Sequence, residues 1–154
     1  MFKKQSKAKR GFTLLEMVVV VAIVVLLAVV AAPMAIQQVD KARVAKVVSE
    51  VSSIQSAVSL YRQDVGSYPD SDSKLISDTA RGWDGPYINK VPTNHPYGTF
   101  TYALNGSEPT LTITFTGGDD KVKQAIWEAL GGSGSVDTGK DIVVNLRTSV
   151  PSQQ

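Results

Sequence analysis

The sequence predicts an α+β chain in which one long N-terminal helix, half membrane span and half amphipathic scaffold, packs on a small antiparallel sheet. Three observations predict it. Residues 17–36 carry no charged side chain, apolar residues from Val47 onward recur at helical spacing, and short alternating runs rich in Thr, Ile and aromatics follow Thr99. With 154 residues and 43% hydrophobic content, the chain has room for one compact core beside one extended element.

The first element is a basic leader, residues 1–11. Lys3, Lys4, Lys7, Lys9 and Arg10 place five positive charges there with no acid, although the whole chain is only +2. Beyond Gly11, 11 basic side chains stand against 14 acidic ones, a balance of −3, so no nucleic-acid surface is expected on the main body. The chain has no Cys, which excludes disulfides, thiolate metal sites and cysteine nucleophiles.

The second element, residues 12–36, reads as a membrane span. Its uncharged stretch of twenty residues makes roughly 30 Å of helix, the thickness of a bilayer core. It is apolar on every side, unlike an amphipathic surface helix. The preceding cations hold the N-terminus in the cytoplasm and send the rest outward. A cleaved signal peptide fits less well. The run is longer than an ordinary h-region, carries Glu16 near its start, and has its best small-residue site, Val30-Ala31-Ala32, directly before Pro33. A plain signal anchor is the other reading.

Glu16 separates the anchor from something more specific. A carboxylate carried unpaired into lipid costs on the order of a few kcal/mol, so it needs the headgroup layer or a partner. A cut after Gly11 would expose an α-amine on Phe12, a cation able to pair with Glu16 of a neighbouring copy.

Lys9-Arg10-Gly11-Phe12-Thr13-Leu14-Leu15-Glu16-Met17, followed by the apolar run, resembles the processing signature of type IV prepilins and type II secretion pseudopilins. The resemblance implies that a prepilin peptidase cuts between Gly11 and Phe12 and N-methylates Phe12. It further implies that Glu16 docks the incoming subunit and that subunits self-assemble into a helical filament. A membrane platform protein and an assembly ATPase would drive extraction. The precursor would sit in the bacterial inner membrane with its N-terminus cytoplasmic, and the product would be an extracellular or periplasmic filament. Pro33 also stands where the family commonly has a proline, and its missing N–H should loosen the helix around Val29. Many members have a glycine near the middle of this segment, where this chain has Val25.

The third element, residues 37–66, continues the helix. Val47, Val51, Ile54, Val58, Tyr61 and Val65 step by three or four residues, giving one apolar face that suits a helix covering a sheet. A parallel coiled-coil dimer is the alternative, but the Ser-rich flanks lack complementary charges at the seam. Gly66 and Pro69 end the helix.

The fourth element is the head, residues 67–154. Tyr61 to Pro69, Gly85 to Pro92 and Pro96-Tyr97-Gly98 resemble stretches of the pseudopilins, although turn chemistry and ring packing also explain them. Residues 99–104 and 111–115 predict a hairpin around Asn105-Gly106. Asp119 and Asp120 introduce a helix from about Lys121 to Leu130, stopped by Gly131-Gly132. Residues 142–146 predict a final strand, giving a sheet of three strands or slightly more, and Ser152-Gln153-Gln154 reads as a frayed end.

No catalytic constellation emerges, so the chain is read as no enzyme and as needing no cofactor. The one histidine, His95, lies in a turn-rich loop, reads as a surface residue and has no second histidine for a metal. Neither a nucleophile elbow nor a phosphate-binding glycine loop occurs. Asn105-Gly106-Ser107 fits a glycosylation sequon, but the turn alone explains Asn-Gly. The resemblance implies calcium in a C-terminal loop of the major pseudopilins. That loop sequence is not recognisable after Tyr102, and two adjacent aspartates fall short of the roughly six oxygens calcium needs. No structural metal is expected. The missing calcium loop and the C-terminal helix favour a surface pilus subunit. The alternatives are the major pseudopilin of a type II secretion system and a membrane-anchored, minor-pilin-like binding protein.

Overall fold

The computed structural model describes residues 12–117, 120–137, 139–147 and 151–153. The chain divides into two compact units, Met1–Val39 and Asp40–Gln154. A single 52-residue helix, α1 (Leu14–Val65), contributes to both.

In the first unit, α1 presents apolar side chains outward all round. Leu14, Val21, Leu26, Val30 and Ile36 are each more than half exposed, as a stem with no apolar partner among the described residues of its unit must be. It is the one helix among the described residues long and apolar enough to cross a membrane.

In the second unit, the C-terminal half of α1 covers a five-stranded antiparallel meander. Its strands are β1 (Asn94–His95), β2 (Gly98–Asn105), β3 (Glu108–Phe115), β4 (Ile142–Asn145) and β5 (Pro151–Gln153), paired in sequence order. The stripe read from the sequence forms the helix side of the core. Val47, Val51, Ile54, Val58 and Tyr61 are buried, and Val65 is half-buried at the rim.

Register explains the sheet side. Phe100 lies opposite Ile113, Tyr102 opposite Leu111, Leu111 opposite Val144, and Ile113 opposite Ile142, so all of these point to one face. Thr99, Thr101, Thr112 and Thr114 take the other face, and Val143, opposite Thr112, is the buried exception there. The β2–β3 turn is the two-residue loop Gly106-Ser107, with Gly106 at φ +65°. Pro109 leaves the β2–β3 ladder whole, because its carbonyl, which accepts the Leu146 N–H at 2.9 Å, and the N–H it lacks both turn away from β2, beyond the end of the β3–β4 pairing.

A second helix, α2 (Asp120–Ala129), lies between β3 and β4 and buries Val122, Lys123, Ile126 and Trp127. Its end is a Schellman cap. Gly131 at φ +90° donates to the Glu128 carbonyl at 3.0 Å, and Gly132 donates to Trp127 at 2.9 Å. A side chain on Gly132 would run into the Trp127 ring. The predicted Asp119 lies outside the described residues; Asp120 stands in the first turn, where the helix dipole favours an anion.

Two readings of the sequence are corrected. The end is not frayed through Gln153: Pro151–Gln153 form β5, pairing along β4 from Ile142 to Val144. His95 is not a surface residue. Its ring lies 4.8 Å from that of Phe100 and 5.4 Å from that of Phe115, and the residue is buried. Nδ1 accepts the Tyr97 N–H at 3.3 Å, and burial pushes the imidazole pKa below its ordinary value, against a smaller upward pull from the Thr114 and Thr99 backbone.

Tyrosines tie the segment after α1 to the helix end and to β2. Tyr87 donates to Asp64 at 2.9 Å, Tyr61 donates to Asp78, and Tyr102 donates to the Pro69 carbonyl at 2.6 Å. Desolvation, reinforced by Asp78, pushes the Tyr61 pKa up to about 12, while the same hydrogen bond lowers that of Asp78. Gly82, at φ +91°, passes so close to the Asp64 carbonyl that a Cβ there would overlap it.

Candidate functional site

The residues proposed from sequence for processing and assembly lie at the start of the stem. Gly11 is outside the described residues. Phe12 and Thr13 precede the first turn of α1, and Phe12 is 77% exposed. The helix then starts on Thr13, whose hydroxyl accepts the Glu16 N–H at 3.2 Å while its carbonyl accepts the Met17 N–H at 3.3 Å.

Thr13-Leu14-Leu15-Glu16 is therefore a capping-box sequence. The threonine caps a donor that would otherwise be an orphan, and the glutamate sits in the first turn, where the helix dipole favours an anion. The sequence reading gave Glu16 an assembly role and missed this local one, although the Thr-x-x-Glu spacing before an apolar run signals it. Pro33 lies well inside the same helix, 17 residues beyond Glu16, so the structure does not bring those two together.

One polypeptide thus carries an exposed aromatic residue just outside a helix, a carboxylate one turn in, a long apolar stem, and a folded head. A scan against protein families finds the same order. The prokaryotic N-terminal methylation motif matches residues 6–32, and the model described as type II secretion system protein G matches residues 34–127, more than half of the chain. This chain belongs to the type II secretion protein G family.

Relatives in that family agree. Type II secretion system core protein G of Vibrio cholerae is 29% identical over 148 residues, covering 90% of this chain and 93% of the relative. The protein of the same name from Pseudomonas aeruginosa is 27% identical, covering 76% of this chain and 89% of its own length. That from Xanthomonas campestris pv. campestris is 22% identical, covering 72% and 80%. No solved structure matches the chain. The family match outweighs the preference for a surface pilus drawn from sequence. That preference rested on the missing calcium loop and the C-terminal helix, whereas the match runs from the stem through the hairpin and across most of that helix itself. The methylation motif and the apolar helix fit a membrane-anchored precursor.

The residues of the C-terminal loop do not fit the calcium that the resemblance implies. Among the described residues, no three His, Cys, Asp or Glu side chains converge. Asp137 turns an oxygen to the Gly139 N–H at 3.3 Å, and Asp141 accepts the Thr114 hydroxyl at 3.0 Å. The group that two main-chain carbonyls of this loop do meet is an ammonium: Lys123 Nζ donates to the Asp137 carbonyl at 2.9 Å and to that of Lys140. A dication placed beside it would meet like charge.

Proposed function

We propose that this chain is the major pseudopilin of a type II secretion system, a structural protein that works by polymerising and performs no catalysis. The observation that carries the reading is the match to protein G relatives through both stem and head, 90% of this chain in the Vibrio cholerae alignment. A prepilin peptidase cuts between Gly11 and Phe12 and methylates the new Phe12 amine. The segment it must grip is supported by the local structure, since Phe12 and Thr13 stand outside the helix that begins at Leu14.

The precursor rests in the inner membrane with its basic leader in the cytoplasm, held by the apolar stem. A platform protein and an ATPase then extract subunits into a filament that stays periplasmic. There the stems bury one another, and Glu16 pairs with the Phe12 amine of a neighbouring copy, removing the cost of an isolated carboxylate among apolar helices. Pro33 removes one helical hydrogen bond in the stem and so gives the packed helices room to bend.

Deleting the chain in its native host tests this reading. The expected result is loss of secreted enzymes from the medium with surface pili retained, restored by the wild-type chain, whose purified form begins at a methylated Phe12. Normal secretion with loss of surface pili would assign it to a pilus instead. A retained leader, or a cut after Ala32, would overturn the processing scheme.

A further inference from the structure

We propose that the Lys123 ammonium is a tethered cation that organises the α2–β4 loop, taking the place that a divalent ion would otherwise need to fill. This inference is independent of which filament the chain builds.

Beyond the Schellman cap, the described residues from Ser133 to Lys140 form neither helix nor strand, and side chains from α2 and β5 meet many of their backbone groups. Trp127 Nε1 donates to the Ser133 carbonyl at 3.3 Å. Gln124 donates to the Gly134 carbonyl at 3.0 Å and accepts the Val136 N–H at 2.7 Å. Gln153 donates to the Ser135 carbonyl at 3.3 Å and accepts the Asp137 N–H at 2.6 Å. Lys123 completes the series by drawing the carbonyls of Asp137 and Lys140 onto one point.

Carbonyls converging on a positive charge are what an oxygen-lined cation site consists of. Here the charge arrives on a side chain. Lys123 is 6% exposed, and its Nζ lies 5.3 Å from the Phe115 ring centroid, so the ammonium is stripped of most water and held by carbonyls and an aromatic face. Two independent features therefore agree: a buried ammonium that requires acceptors, and a loop whose carbonyls require donors. Because the cation is covalently attached, loop order does not depend on the calcium concentration outside the cytoplasm.

The test uses the full-length protein in detergent, followed by thermal unfolding and by hydrogen exchange of the amides of residues 133–137, 139 and 140. Wild type should melt within about 1–2 °C of the same temperature in millimolar calcium and in excess chelator, since a ligand that does not bind cannot shift the midpoint. Lys123→Met keeps the length and the apolar stem but removes charge and donors. It should lower the midpoint by roughly 5 °C or more and deprotect the amides of residues 133–137, 139 and 140 before the rest of the head. Should the Met variant fail to fold, Lys123→Gln, which keeps one donor without the charge, is read in the same two assays. A calcium-dependent rise of more than about 5 °C in wild type, reversed by chelator, would overturn the proposal. So would a neutral variant with wild-type melting and protection.

Discussion

Truncating Ile54 to Ala tests the central contact of the head. Ile54 has no exposed surface and lies in one core with Val51 and Val58 of α1 and with Leu111, Ile113, Ile142 and Val144 of the sheet. The substitution removes Cγ1, Cγ2 and Cδ1. At about 0.8 kcal/mol per buried methylene the transfer loss alone is roughly 2.4 kcal/mol. Neighbours fixed on a helix and a hydrogen-bonded sheet relax only partly, so a cavity contribution brings the total to about 3–4 kcal/mol. For a unit of this size that corresponds to a fall of about 10–15 °C in melting temperature. Leu60 on the same helix is 48% exposed, and Leu60→Ala should stay within about 0.5 kcal/mol of wild type. Urea unfolding of the full-length protein in detergent measures both, followed by the fluorescence of Trp83 and Trp127, which pack in or against this core. A loss below about 1 kcal/mol at Ile54, or equal losses at both sites, would refute the assignment of the buried face.

Three further outcomes are expected. Gly82→Ala forces a Cβ into the Asp64 carbonyl at φ +91° and should cost roughly 1–3 kcal/mol; urea unfolding that matches wild type would show the loop to sit elsewhere. The folded-state pKa of His95 lies below its ordinary 6.5, so between those values the unfolded chain binds more protons. The resulting stability is fully present above about pH 6.5 and falls as pH drops toward the folded value. His95→Gln should flatten that limb, and a wild-type-minus-variant difference constant from pH 7.5 to 5, on scales where His titrates, would contradict it. Glu16→Val should still be processed and membrane-bound but should assemble poorly, and filaments of normal length in electron micrographs would refute the pairing with the Phe12 amine.

Much of the head was legible because its elements carry their own periodicity. The step from Val47 to Tyr61 marked the buried face of α1 residue by residue, and alternation marked β2 and β3 to within a few residues. β1 and β5 were not legible. Two or three residues hold no period, and Asn94–His95 and Pro151–Gln153 are strands only because β2 and β4 offer them open edges. The buried His95 follows from that pairing, since its ring reaches Phe100 and Phe115 only when β1 lies beside β2. At the N-terminus the reverse holds: Thr13 and Glu16 form a local motif that spacing alone could have exposed.

By itself the sequence determined the basic N-terminal stretch, the apolar stem and the family, all of which are written in contiguous residues whose chemistry acts locally. Tertiary structure alone decided the fate of the C-terminal loop. Lys123, Gln124, Trp127 and Gln153 look like unremarkable helix and tail residues until α2 and β5 are set around that loop. Only there does a lysine become the cation on which two loop carbonyls meet, because a buried charge is defined by what the rest of the chain brings to it.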